Sequence, residues 1–227
     1  MVKIISKFTE LLRTKADSIW NTILNHQFLV DMSEGTLPLE RFRYYVRQDY
    51  VYLIEFARCL SLAVAKTDDT EIMRALVSLL EGCLTVEMDM LSDLAKKISL
   101  SKKDLVKSQA SPTSKGYTRH LLYIAYSGTL GEIIASLLPC MWTYQDIGES
   151  LIHSDAMKDK KVYFGWAKTY TSSEYIELVD GYKELTNRFF SQSGKYVREK
   201  MKDHFMASIR YEYMFWDMAY TMEEWPV

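Results

Sequence analysis

The chain has 227 residues, of which 48% are hydrophobic and 26% are charged, and its formal net charge is −2. This balance lacks the basic excess that drives nucleic-acid binding, so we expect no nucleic-acid partner. No uncharged apolar run approaches the ~20 residues that span a bilayer, and the first residues carry charges inside their apolar pattern, unlike a signal peptide. We therefore expect a cytoplasmic protein with no membrane partner.

Apolar residues recur at helical spacing along most of the chain. The pattern begins in residues 3–25, and the polar stretch 26–36 is interpreted as a connector. Thr36 is a candidate cap for the second helix, with Pro38 in its first turn. The helices predicted after the connector cover residues 36–66, 70–97, 113–126, 127–148, 162–170, 173–193 and 196–222, with at most a short helix in 99–114. Candidate caps within this series are Asp68, Asp69, Thr70, Ser127, Thr129, Ser172 and Ser173, and the predicted stops are Gly148 and Gly194.

No segment of alternating β-branched residues competes with this pattern. The sequence therefore predicts an all-α fold of about eight helices, forming a single domain over residues 1–227. Sustained heptads are absent, which favours a compact bundle over an extended coiled coil. The three cysteines, Cys59, Cys83 and Cys140, are an odd number without the spacing of a disulfide framework, so we expect reduced thiols.

The least polar stretch is residues 127–148, SGTLGEIIASLLPCMWTYQDIG. Its apolar residues leave almost no polar face, which predicts a central helix buried on most of its circumference. Pro139 cannot donate to the carbonyl of Ala135, so a kink and a cavity beside Cys140 are expected. From this helix alone, the simpler interpretation of Cys140 is an ordinary small core residue.

Two acidic residues share helix faces with aromatic residues. Asp49 is spaced to lie with Tyr45, Tyr52 and Phe56 on one face of the second helix. In the last helix, Glu212 falls on a stripe with Ser208, Phe215, Trp216 and Ala219. A carboxyl group on such a face must find partners or have its pKa raised, so both acids are candidate site residues. The alternative is a hydrogen-bonded acid that only packs helices together.

Other chemistries fit the sequence poorly. The four histidines form no pair of Glu-x-x-His motifs on two helices, which argues against a di-iron bundle, and no other metal site is expected. The glycines of GTLG have the wrong spacing for a phosphate loop and are more typical of close helix contact. The chain also lacks the nucleophile elbow of serine hydrolases.

The chain closely resembles the TenA, or thiaminase II, family over nearly all of its length. The resemblance is carried by RQDYVYL, YTRHLL, SGTLGEIIASLLPCMWTYQDIG, GWAKTY and YEYMFWDMAY. LLPC followed far downstream by YEYxFWxMAY is a specific signal, and Cys140 places the chain with the cysteine-containing branch. The resemblance implies a heme-oxygenase-like all-α fold, a homotetramer and no cofactor. It further implies hydrolysis of 4-amino-5-aminomethyl-2-methylpyrimidine, or of thiamin, to the hydroxymethylpyrimidine in thiamin salvage.

The same resemblance implies roles for individual residues. Cys140 would be a nucleophile that adds to the pyrimidine ring, Glu212 would deliver a proton to a ring nitrogen, and Asp49 would accept from the 4-amino group. Hydroxyl donors and aromatic walls would come from Tyr52, Tyr117 and Tyr170, with Phe215 as a stacking residue. One departure is Met88, which follows Glu87 where many members carry a histidine; this puts a secondary pocket contact in doubt.

Two other functions remain open from the sequence. A non-catalytic pyrimidine-binding or regulatory protein could use the same fold, because a fold does not determine a function. An oxygenase on this fold would need metal ligands that the sequence does not assemble. The preferred leaving group, the base that activates Cys140 and any partner enzyme that receives the product are also undetermined.

Overall fold

The protein is described by a computed structural model that covers residues 7–227. Within this range it is built from helices and contains no β-strand, which confirms the all-α prediction. The estimate of about eight helices is too low. The described chain has α1 (Phe8–Leu24), α2 (Gln27–Ser33), α3 (Leu39–Val64), α4 (Thr70–Gly82), a π-helical turn (Cys83–Glu87), α5 (Met88–Lys97), α6 (Lys102–Val106), α7 (Pro112–Ser127), α8 (Leu130–Leu151), α9 (Asp155–Lys158), α10 (Lys161–Tyr170), α11 (Ser173–Gln192) and α12 (Lys195–Thr221). None of these helices combines the length and the hydropathy needed to cross a bilayer.

The helix starts follow the capping residues of the sequence in several places. The Asp69 carboxylate accepts from the backbone N–H groups of Glu71 and Ile72 at 2.9 and 3.2 Å, and thereby begins α4. Thr129 and Glu132 form a reciprocal capping box at the start of α8. These side chains satisfy N–H groups that have no partner within their own helix.

Helix α8 lies at the centre of the fold, as the sequence predicts. It packs against α7, α10, α11 and α12, and every residue from Ile133 to Met141 is buried. The helix continues through Pro139 without interruption. Gly131 allows α11 and α12 to approach, because a Cβ there would lie 3.0 Å from both Phe189 Cβ and Met201 Sδ. α8 therefore fixes the position of Cys140 relative to four surrounding helices.

The connector predicted for residues 26–36 is wrong, because most of it forms α2. This helix buries Phe28, Leu29 and Met32, and the Nδ1 atom of His26 accepts from the backbone N–H of Phe28 at 3.2 Å. The predicted cap at Thr36 is also wrong, since α3 begins at Leu39, directly after Pro38. Of the first predicted helix, residues 3–6 lie outside the described part of the chain.

Two further boundaries differ from the sequence prediction. Residues 70–97 do not form one regular helix, because the π-helical turn Cys83–Glu87 separates α4 from α5. Gly148 does not end α8, which continues to Leu151. The glycine instead allows contact with α10, because a Cβ there would lie only 2.9 Å from Tyr170 Cβ. In the sequence, a glycine that allows close helix packing therefore looks the same as a glycine that ends a helix.

The contact at Gly148 gives a test of how tightly α8 and α10 are packed. A Cβ at this position would also lie 3.0 Å from the backbone oxygen of Ala167, so Gly148→Ala must push the two helices apart. We expect the free energy of unfolding to fall by about 1–3 kcal/mol, as for other overpacked core sites, measured by urea denaturation.

The matched control is Gly165→Ala, on the exposed side of α10. A Cβ there meets nothing within 4 Å, so the greater helix propensity of alanine should raise the free energy of unfolding by about 0.5–1 kcal/mol. If both substitutions stabilise the protein equally, α8 and α10 are not in the close contact described.

Candidate active site

The seven residues proposed from the sequence are all buried in the core, on five different helices. None of their side chains exposes more than 5% of its surface. They are Asp49 and Tyr52 on α3, Tyr117 on α7, Cys140 on α8, Tyr170 on α10, and Glu212 and Phe215 on α12. The arrangement brings together a thiol, two carboxyl groups and four aromatic rings that are distant in the sequence.

Glu212 is held by a short hydrogen bond from α7. The Tyr117 hydroxyl donates to Glu212 Oε1 at 2.6 Å, and the Tyr117 ring stacks on Tyr211 with centroids 5.0 Å apart. Burial raises the pKa of Glu212 to about 8, an increase that the hydrogen bonds from Tyr117 and Thr143 only partly offset. At neutral pH Glu212 is therefore a protonated acid that can donate.

Asp49 lies at the end of a chain of hydrogen bonds that starts on α10. Trp166 Nε1 donates to the Tyr45 hydroxyl at 3.2 Å, and Tyr45 donates to Asp49 Oδ2 at 3.3 Å. Burial raises the pKa of Asp49 to about 7, again more than its hydrogen bond lowers it. The second oxygen, Oδ1, makes no hydrogen bond with residues 7–227 and can accept from a ligand.

Cys140 lies close to the acids. Burial is the main cause that raises the pKa of its thiol well above the usual value, and the neighbouring charges of Glu212 and Glu87 raise it further. The buried Tyr52 hydroxyl opposes this rise in part, although it makes no hydrogen bond of ordinary geometry within the described chain. The thiol is thus neutral at pH 7 and needs a proton acceptor to become a nucleophile.

Aromatic rings form the walls around these groups. The Tyr52 ring lies 5.0 Å from that of Tyr117 and 5.7 Å from that of Phe215, measured between centroids. Tyr170 lies on the Asp49 side, with its ring centroid 4.8 Å from Trp166 and 5.0 Å from Tyr144. A flat heteroaromatic ring matches such surroundings, since it can stack while its edge faces the acids.

The structure adds residues that the sequence did not single out for the site. Tyr45 was placed on the Asp49 face, but its partner Trp166 is 121 residues away and no sequence signal pairs them. A third acid, Glu87, is 96% buried at the end of the π-helical turn. The sequence does contain a pattern that indicates burial of Glu87, because Cys83, Glu87 and Leu91 follow one another at helical spacing on an apolar face.

Metal coordination has no candidate in the part of the chain that the structure describes. Within residues 7–227, no three His, Cys, Asp or Glu side chains come together closely enough to hold a metal ion. All three cysteines are unpaired thiols.

Comparison with known proteins extends these observations. The chain is 36% identical over 222 residues to the aminopyrimidine aminohydrolase of Bacillus subtilis strain 168, covering 96% of this chain and 92% of that protein. The solved TenA homologue protein from P. horikoshii OT3 superposes with a TM-score of 0.85 at 33% identity, covering 95% of this chain and 99% of that one.

A more distant structure establishes only the fold. A domain from Shewanella denitrificans OS217, described as having a heme oxygenase-like fold, superposes with a TM-score of 0.76 at 13% identity, covering 96% of this chain and 94% of that one. This confirms the fold class expected from the sequence. A family model described as TENA/THI-4/PQQC matches residues 13–222. The chain therefore belongs to the TENA/THI-4/PQQC family.

Proposed function

We propose that this protein is an aminopyrimidine aminohydrolase. It hydrolyses 4-amino-5-aminomethyl-2-methylpyrimidine, and thiamin, to 4-amino-5-hydroxymethyl-2-methylpyrimidine, and so serves thiamin salvage. The name of the Bacillus subtilis relative supports this reaction. The observation that carries the proposal is the buried group formed by Cys140, Glu212 and Asp49, in which burial raises the pKa values of the thiol and of both acids.

The difficulty of the reaction is the leaving group. An amine on a carbon next to an aromatic ring leaves slowly, because the ring electrons are held in the aromatic system. Addition of the Cys140 sulfur to a ring carbon breaks the S–H bond, forms a C–S bond and breaks the aromaticity. The ring electrons can then expel the amine, which takes up the thiol proton as it departs. Glu212 delivers a proton to a ring nitrogen as the C–S bond forms, which keeps negative charge from accumulating on the ring.

The second half of the reaction restores the ring. Water adds to the exocyclic carbon that lost the amine and gives up a proton, which completes the hydroxymethyl group. The electron pair of that addition returns through the ring and breaks the C–S bond, while the ring nitrogen gives its proton back to Glu212. Cys140 is released as a thiolate and takes the proton given up by water, so the thiol is restored and the net change is replacement of an amine by a hydroxyl group.

Asp49 and the aromatic residues orient the ring. The free Oδ1 of Asp49 can accept from the 4-amino group while Tyr45 holds the other oxygen. Tyr52, Tyr117 and Phe215 provide stacking surfaces, and Tyr170 adds a hydroxyl group near Tyr45. The Tyr52 hydroxyl has no ordinary hydrogen bond within the described chain, so it can donate to the Cys140 sulfur as the thiolate forms.

Cys140→Ala tests the proposal most simply. Wild-type protein incubated with the aminomethylpyrimidine, or with thiamin, should release the hydroxymethylpyrimidine, and Cys140→Ala should lose at least ~10³-fold in turnover while remaining folded. The controls are Cys59→Ala and Cys83→Ala, which remove buried thiols outside the proposed chemistry and should change stability rather than rate. Binding without product release by the wild type would instead favour a regulatory pyrimidine-binding protein, and near-normal turnover in Cys140→Ala would exclude nucleophilic catalysis.

Glu212→Gln should separate proton donation from binding. Because the protonated acid is the active form and its pKa lies at about 8, the wild-type turnover rate should fall as the pH rises through that value. Glu212→Gln should lose most of its turnover and this alkaline decline, yet bind the hydroxymethylpyrimidine almost normally, since an amide can still donate a hydrogen bond. A rate that is level from pH 6 to pH 10 in the wild type would argue against this role.

Asp49→Asn should behave differently from Glu212→Gln. An asparagine can present an N–H group to the 4-amino group of the ligand, which leaves a mispaired buried contact. Binding of the hydroxymethylpyrimidine should weaken by about 1–3 kcal/mol, measured by calorimetric titration, and turnover should also slow. Unchanged affinity in this variant would mean that Asp49 does not hold the pyrimidine.

We also propose how the protein assembles and where it acts. The protein is a single catalytic domain covering residues 1–227 that acts in the cytoplasm as a homotetramer. Exposed aromatic side chains such as Tyr123, Tyr126 and Tyr196, each about 70% exposed, support the tetramer, because aromatic residues are common at subunit interfaces. Sedimentation at micromolar concentration should give about four times the chain mass of 26.5 kDa. A species at the mass of one chain would contradict the tetramer.

A further inference from the structure

Glu87 is the one acid of this buried group that the mechanism above does not use. It is 96% buried and ends the π-helical turn between α4 and α5. A π-helical turn inside a helix often marks a functional position, because the extra residue changes the direction of the side chains around it. Here α3, which carries Asp49, packs against the turn.

The three buried acids differ in their partners. Asp49 accepts from Tyr45, and Glu212 accepts from Tyr117. Glu87 makes no hydrogen bond or ion pair with any residue of the described range, and its Oε1 atom is fully enclosed. A buried carboxyl oxygen without a hydrogen-bond partner destabilises the fold, so Glu87 does not serve stability at this position.

The acidic surroundings of Glu87 indicate that its ligand carries a positive charge. Its pKa is raised to about 8 by burial and by Asp49, and no positive charge of the described chain opposes this. When Glu87 is ionised, its charge in turn raises the pKa values of Cys140, Tyr170, Tyr175 and Tyr182. A group that supplied a positive charge would relieve every one of these interactions.

We infer that the Glu87 carboxylate binds the positively charged substituent of the substrate, the group that leaves in the reaction. This inference rests on the proposed function. The aminomethyl group is a primary amine and carries a proton at neutral pH, and the thiazolium of thiamin has a fixed positive charge. The hydroxymethyl product has no charge at this position. Glu87 thus favours the substrate over the product, with Asp49 and Glu212 left for the ring.

A proton must leave when the cation binds. Glu87 is mostly neutral at pH 7, and a neighbouring cation lowers its pKa so that the carboxyl ionises. The titratable groups that interact with its charge are Asp49 from α3, Cys83 from its own turn, Cys140 from α8, Tyr170 from α10, and Tyr175 and Tyr182 from α11. All of these are acids, so binding of the cation should release a proton to solvent.

The test compares two ligands in a protein that cannot turn over. In the Cys140→Ala background, calorimetric titration at pH 7 gives the affinities for the charged aminomethylpyrimidine and the neutral hydroxymethylpyrimidine, with and without Glu87→Gln. We expect Glu87→Gln to weaken binding of the amine by roughly 10- to 100-fold and to change binding of the alcohol by less than about threefold. Titration in two buffers of different ionisation enthalpy should show that the substitution removes the proton release.

Glu81→Gln is the matched control, since Glu81 lies one and a half turns earlier on the same helical segment and is exposed. It should leave both affinities unchanged. Glu87→Asp, which keeps the carboxyl group but shortens the side chain, should recover part of the preference for the amine. Normal binding of the alcohol by each variant shows that the fold is intact.

Two results would overturn the inference while leaving the proposed function in place. The first is equal weakening of the amine and the alcohol by Glu87→Gln, which would make Glu87 structural. The second is unchanged binding of both ligands, combined with slow turnover when Glu87→Gln is made with Cys140 present, which would make Glu87 the base for the thiol. If the Cys140→Ala protein binds neither pyrimidine, the proposed function fails and the inference fails with it.

Discussion

The site depends on the burial of three carboxyl groups and one thiol among aromatic rings, to which residues 7–227 contribute no compensating positive charge. Burial raises the pKa values of Asp49 to about 7 and of Glu87 and Glu212 to about 8. The folded protein therefore holds these protons more tightly than the unfolded chain. Their contribution to stability is fully present below about pH 4 and is lost as the pH rises through 7 to 8. The fold thus gives up stability at neutral pH to keep these carboxyl groups protonated in the core.

Helix packing makes this burial possible. α8 is apolar on nearly every face, so it can carry Cys140 into the centre while α3, α7, α10 and α12 bring the acids and rings to it. Small residues at the crossings, such as Gly131 and Gly148, let the neighbouring helices approach closely. Because Tyr170 itself forms the contact with Gly148, the packing of the core and the shape of the site are not independent.

Much of this could be predicted from the sequence, because helical spacing reports which residues share a face. That spacing placed Asp49 among aromatic residues, placed Glu212 on an apolar stripe, and identified α8 as central. It could not pair Trp166 with Tyr45, since that contact depends on how α10 packs against α3. The π-helical turn could not be predicted from the sequence either, because a single extra residue hardly changes the spacing of the apolar residues. α2 was missed because a seven-residue helix leaves only three buried positions to reveal it.

The central claim is that these carboxyl groups are protonated near neutral pH in the folded protein. Carbon-13 NMR of protein labelled at the Asp and Glu side-chain carboxyl carbons measures this directly, with Asp49→Asn, Glu87→Gln and Glu212→Gln used to assign the signals. We expect three carboxyl signals that titrate between about pH 6.5 and 8.5, each missing from its own variant. Titration of all three near pH 4, as in exposed side chains, would contradict it.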